Sequence, residues 1–171
     1  MLLSMTTMKA LSFPCFETME ETMLEDVNGP HAIEWNGVRY KTILSSSDSG
    51  GAISIIDSWS PACSGPPRHV HEAEDEIFVL ISGSCEFWLE GQSFTRGPGE
   101  SVFIPRGREH TFRVTAAGPS RHLVILTPGG FEGFFSDMAV GRFRIPEDMA
   151  QINESALRHN MRFTGPPLSA E

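Results

Sequence analysis

The chain has 171 residues, 40% of them hydrophobic and 20% charged, with a formal net charge of −9. That length and balance describe one globular domain able to bury an ordinary core. The acidic total, with no cluster of Lys and Arg, excludes a nucleic-acid partner, and no apolar run approaches the roughly 18 residues of a membrane-spanning helix. The opening Met1-Leu2-Leu3-Ser4-Met5 lacks the basic flank and apolar stretch of a signal peptide, so a cytoplasmic location is the default expectation. Cys15, Cys63 and Cys85 follow no metal or redox spacing, and Cys85 reads as a small core residue.

Residues 1–30 are Met-rich and acidic, with Glu17, Glu20, Glu21, Glu25 and Asp26 close together, and read as a solvated arm. Strand signals begin at Ile33, where Asn36-Gly37 between Trp35 and Val38 is a strong hairpin signal. The strand continues over 38–44, a polar loop covers 45–51, and the β pattern resumes over 52–59. Pro61, Pro66 and Pro67 then make a rigid approach suited to the rim of a site.

His69 and His71 follow, one residue apart. On a strand such residues share a face, with a rise of about 3.3 Å per residue, and can converge on one ion at about 2.1 Å each. Glu76 lies an odd number of residues beyond His71 and on one unbroken strand would face the other way. A turn over Glu72, Ala73, Glu74 and Asp75 restores it to the inner face, shared with Phe78 and Leu80, and leaves Glu72, Glu74 and Asp75 solvated.

Residues 85–89 and 93–95 form a hairpin about Glu90-Gly91, and Gly97-Pro98-Gly99 turns the chain into a strand over 101–104. The turn from Pro105 to Gly107 aims His110 from a neighbouring strand. His69, His71, Glu76 and His110 therefore read as one metal site, whereas His31, His122 and His159 read as surface or packing residues. Phe112 and Val114 continue inward, and 121–126 supplies a further strand.

Phe131, Phe134, Phe135 and Met138 then recur at helical spacing. A second helix is expected to start near Pro146, with Glu147 and Asp148 in its first turn and an apolar stripe of Met149, Ile152, Ala156 and Leu157. Both helices are expected on the outside of the β core, with the Phe-rich one as a cavity lid the other reading. The organisation is an arm over 1–30, a β barrel or sandwich over 31–127, and a helical extension over 128–171 packed on the barrel.

The two site stretches resemble the paired motifs of the cupin superfamily. The first motif is Gly, five residues, His, one residue, His, three or four residues, Glu, six residues, Gly. This chain matches it from His69 to Gly83, with Gly65 closer to His69 than the pattern asks. The second is Gly, five residues, Pro, one residue, Gly, two residues, His, three residues, Asn. The match runs from Gly99 to His110, and Val114 stands where Asn is usual. Segments 127–138 and 156–168 are similar to the tail of quercetinase-like single-domain cupins.

The resemblance implies an all-β fold: a small jelly-roll barrel with two C-terminal helices and an N-terminal arm, assembled as a homodimer in which the arm can bind the partner. It implies one divalent transition-metal ion on His69, His71, Glu76 and His110, with Fe, Mn, Ni, Co and Cu admissible and Zn possible. In the flavonol dioxygenases that this chain resembles, the ligating glutamate also takes the substrate hydroxyl proton, which makes Glu76 the expected base. The inward alternation puts Phe78, Phe87, Phe112 and Phe103 or Ile104 either around a substrate cavity or in the packed interior. The leading expectation is a metal-dependent, quercetinase-like dioxygenase taking dioxygen and a small oxygenated or aromatic substrate. The alternatives are a non-oxidative isomerase, epimerase or lyase, in which the ion is only a Lewis acid, and a non-catalytic small-molecule-binding cupin.

Overall fold

The structure is a computed structural model that describes residues 29–169, so nearly all of the expected arm lies outside the described residues. Among the described residues, eleven strands and two helices follow in order. The strands before the helices are β1 (Ile33–Trp35), β2 (Val38–Leu44), β3 (Ser54–Ser60), β4 (Arg68–His71), β5 (Asp75–Ser82), β6 (Cys85–Leu89), β7 (Gln92–Arg96), β8 (Ser101–Ile104), β9 (His110–Val114) and β10 (Ser120–Thr127). Then come α1 (Glu132–Gly141), α2 (Met149–Arg158) and β11 (Met161–Gly165).

The turns sit where their residues allow. Asn36 and Gly37 both take positive φ, 52° and 77°, as a two-residue hairpin loop requires. Glu90 and Gly91 do the same between β6 and β7. Burial alternates strictly along β10 and along most of β5, which face each other in register with one side inward.

The strands form two antiparallel sheets, ordered β1-β2-β3-β10-β5-β8 and β11-β4-β9-β6-β7. Their inner faces share one core: Ile56, Phe78, Leu80, Val124 and Leu126 from the first, Cys85, Phe87 and Val114 from the second. This is the antiparallel two-sheet, jelly-roll arrangement expected from the sequence. Among the described residues no helix is long and apolar enough to cross a membrane.

The C-terminal third departs from expectation in three ways. α2 begins at Met149 and not near Pro146, because the Asp148 N–H donates to the Arg144 carbonyl (2.9 Å) while the Asp148 carboxylate accepts from the Arg144 N–H (2.8 Å), closing a turn first. Leu157 is 67% exposed and takes no part in the apolar stripe, whereas Ile152 and Ala156 are buried. The tail also supplies a strand: after Asn160 at positive φ the chain reverses, and β11 pairs along β4, with Met161 opposite His71 and Phe163 opposite His69. The segment after residue 128 thus completes a sheet as well as packing on it.

Candidate metal centre

β4 and β9 are antiparallel neighbours that set His69 directly opposite His110, while Glu76 arrives from β5 in the facing sheet. The turn after β4 is shorter than expected, since Asp75 already belongs to β5, and it brings Glu76 to the inner face as the odd spacing requires. One ligand atom from each of His69, His71, Glu76 and His110 lies within 4.8 Å of all the others, and all four residues are buried.

Two of the imidazoles are held by backbone carbonyls. His69 Nδ1–H donates to the Pro67 carbonyl (2.8 Å) and His110 Nδ1–H to the Arg108 carbonyl (2.9 Å). A carbonyl can only accept, so the proton of each ring sits on Nδ1 and Nε2 is left for a ligand. His110 Nε2 lies 2.8 Å from Glu76 Oε2. Burial alone would lower the His110 pKa, but the hydrogen bond to Glu76 and its charge raise it above 6.5. Burial pushes the Glu76 carboxyl upward, yet His71, His110 and His69 together hold it down, to about 2. Burial holds His69 well below the usual imidazole range and His71 at about 4. Three neutral nitrogens and a carboxylate are what the buried pocket offers once the His110 proton leaves, a donor set that fits a divalent transition ion.

The surrounding turn is built to hold this set. Arg106 grips Asp75 with its backbone N–H (2.8 Å) and its guanidinium (3.1 and 3.0 Å), and the Gly107 N–H donates to the His71 carbonyl (2.8 Å). Asp75 therefore clamps the second motif to the first instead of being merely solvated. Glu74 is a clearer correction. It is 5% exposed, its Oε2 lies 3.9 Å from His71 Nδ1, and neither atom has a hydrogen-bond partner among the described residues. Alternation along β5 could not reveal this, because Glu74 precedes the strand. Glu72 does stay exposed, paired with Arg162 at 2.6 Å.

The cluster opens onto a cavity of about 360 Å³. Phe78, Phe112 and Val124 form its middle, with Pro66 and Pro67 beside His69 as the proline segment suggested. A Cβ on Gly65 would collide with the Phe112 carbonyl oxygen, so the approach of that segment depends on glycine. Phe87 is not in the wall. It is 1% exposed and packs behind Phe78 and Phe112 with ring centroids 5.2 and 5.9 Å away, which makes it core. Phe103 is 57% exposed on the outer face, and Ile104 is core.

The rest of the wall comes from residues that the motif does not reach. Phe131, Phe134 and Phe135 line the cavity from the start of α1, and the Phe131 ring stands edge-on to His71 at 4.4 Å. Of the two readings for the Phe-rich helix, the structure takes the one that covers the cavity. His122, read from sequence as a surface or packing residue, is 1% exposed and lines the same space. Its place on β10, in step with Val124 and Leu126, is the one sequence signal that could have found it.

A family model described as a cupin domain matches residues 58–126. Quercetin 2,3-dioxygenase from Bacillus subtilis (strain 168) is 25% identical over 96 residues, 56% of this chain and 28% of that protein. Dimethylsulfoniopropionate lyase DddQ from Ruegeria pomeroyi is 46% identical over 48 residues, 28% of this chain and 23% of the lyase. The matches thus span about a quarter of the length of these curated relatives. KdgF from Halomonas sp. superposes with a TM-score of 0.52 at 18% identity, covering 58% of this chain and 92% of that one. A double-stranded β-helix protein from Klebsiella pneumoniae gives 0.51 at 17%, covering 61% and 88%. These two likenesses concern the fold alone.

Proposed function

Because residues 58–126 form a cupin domain, we propose that this chain is a metal-dependent, quercetinase-like dioxygenase acting on a small oxygenated or aromatic substrate. The observation that carries the reading is the buried His69, His71, Glu76, His110 set opening directly onto a cavity walled by aromatic rings. An ion held there would supply Lewis acidity and, if redox-active, electron transfer to the dioxygen co-substrate.

The chain's own residues do the rest. Phe78, Phe112 and Phe131 offer ring faces and edges to a flat substrate and keep water from the reacting end. The neighbours that hold Glu76 at low pKa keep it ionised, so it can accept the proton of a substrate hydroxyl. His69 and His110 stay fixed through their Nδ1 hydrogen bonds while this happens.

The test is elemental analysis of the purified chain beside His69→Ala and His110→Ala, with oxygen uptake on 3-hydroxyflavone. About one Fe, Mn, Ni, Co or Cu per chain, lost together with oxygen uptake in both variants, is the expected result. Oxygen uptake unchanged in either variant overturns it. A second reading, a non-oxidative lyase, is favoured by the stretch 46% identical to a lyase. It requires turnover without oxygen and with Zn(II) bound, and neither should occur if the dioxygenase reading is right.

A further inference from the structure

The cavity has a second polar end. His122 faces Ser58 across the β10 and β3 pairing, and Ser60 lies further along the same strand. All three are 1% exposed and line the cavity. Directly opposed residues of antiparallel strands present their side chains on one face. On the other flank of β10, His122 pairs with Leu80 and Leu126 pairs with Glu76. His122 therefore stands four residues along the sheet from the level of Glu76, about 13 Å of strand. Phe78 and Phe112 occupy the interval, with ring centroids 5.6 and 5.2 Å from the His122 ring.

The hydrogen bonding decides which tautomer this end presents. Ser120 Oγ lies 3.1 Å from the Ser82 carbonyl, which can only accept, so the single hydroxyl hydrogen is directed there. Ser120 Oγ is then an acceptor towards His122 Nδ1 at 3.3 Å and towards the Cys85 thiol at 3.4 Å. His122 thus carries its proton on Nδ1, and Nε2, on the opposite edge of the ring, holds a lone pair. That atom is buried and has no partner among the described residues. Burial keeps the ring neutral at ordinary pH, since its pKa falls to about 4. A buried acceptor left unmatched is costly, and a donor brought by a ligand removes that cost.

We infer that His122 is a specificity-determining residue whose Nε2 accepts a hydrogen bond from a hydroxyl at the end of the substrate remote from the His69, His71, Glu76, His110 cluster. This rests on the dioxygenase reading for the near end and adds the chemistry of the far end. The substrate class is a flat molecule with an oxygen for the cluster, an apolar middle against Phe78 and Phe112, and a distal hydroxyl donor. An ether or a bare ring at that end leaves the acceptor unmatched.

The experiment is an anaerobic equilibrium titration of the metal-loaded full chain with 3-hydroxyflavone and its 4′-hydroxy and 4′-methoxy derivatives. Metal content is measured on each sample, so the cluster is checked apart from the far end. The wild-type chain should bind the 4′-hydroxy ligand about tenfold more tightly than the other two, as one hydrogen bond to a buried acceptor allows. His122→Asn keeps an amide near the Ser120 hydroxyl but nothing at the Nε2 position, and should reduce that preference to less than about twofold. His122→Gln places an amide oxygen near the Nε2 position and should retain most of it. A tenfold preference that survives in His122→Asn, with metal retained, overturns the His122 assignment and leaves the dioxygenase reading standing. Equal binding of all three ligands by wild type does the same. Failure of metal-loaded wild type to bind any of them overturns both.

Discussion

The two ends of the cavity bury histidine in different company. At the cluster end three imidazoles surround Glu76, two of them steered by backbone carbonyls, and one, His110, keeps a raised pKa. At the far end His122 is packed between Phe78 and Phe112, with Ser120 as its hydrogen-bond partner, and is held neutral. Burial opposes charge on every one of these rings, and only direct contact with a carboxylate reverses it. One cavity can thus hold an ion at one end and read a neutral hydroxyl at the other.

The largest effect that would sharpen this contrast is at the cluster. His69→Ala or His110→Ala should lower metal content from about one per chain to below about a tenth and cut oxygen uptake by more than about a hundredfold, whereas His122→Gln should leave metal content unchanged. Elemental analysis of the variants side by side reads the difference.

Phe131 ties the cluster end to the helical segment, since its ring contacts His71, Phe134 and Phe135 and it is 4% exposed. Phe131→Ala should cost about 3–5 kcal/mol in urea unfolding. A loss under about 1 kcal/mol would mean that α1 does not brace this end.

The far end has its own signature in acid. His122 has a pKa of about 4 in the folded chain, against 6.5 as the usual value. Below 6.5 the unfolded chain takes up a proton that the folded chain refuses, so this residue's contribution to stability is full above 6.5 and is lost as the pH falls towards 4. His122→Gln removes the dependence and should recover about 3 kcal/mol of the wild-type loss between pH 7 and pH 4. Urea midpoints at the two pH values measure it. Equal acid losses in wild type and variant would break the contrast, because His122 would then be no more reluctant to charge than a solvated histidine.

The smallest expected effect lies beside His71. Glu74→Gln removes the buried carboxylate 3.9 Å from Nδ1 and should weaken metal affinity about tenfold in chelator competition, through the loss of a nearby negative charge and not of a hydrogen bond. Unchanged affinity would show that the Glu74 charge is not felt at the cluster.

Much of this was legible along the chain because it depends on local rules. The period-two alternation of β5 and β10, the left-handed turns at Asn36-Gly37 and Glu90-Gly91, and the spacing that forces a turn between His71 and Glu76 all follow from backbone geometry within a few residues. The four clustered residues belong to the same category, since the cupin-like spacing already named them before their atoms were placed within reach of one another. What only the tertiary structure decided depends on contacts between residues far apart in sequence. The pairing of β11 with β4, Phe87 behind the cavity wall with Phe131 in it, and the burial of Glu74 are all of this kind. His122 is the sharpest case: its neutral state and free acceptor arise because β10 runs between β3 and β5, so burial and the company of Ser58, Ser120 and two phenylalanines are properties of the assembled sheets and not of its own neighbours in the chain.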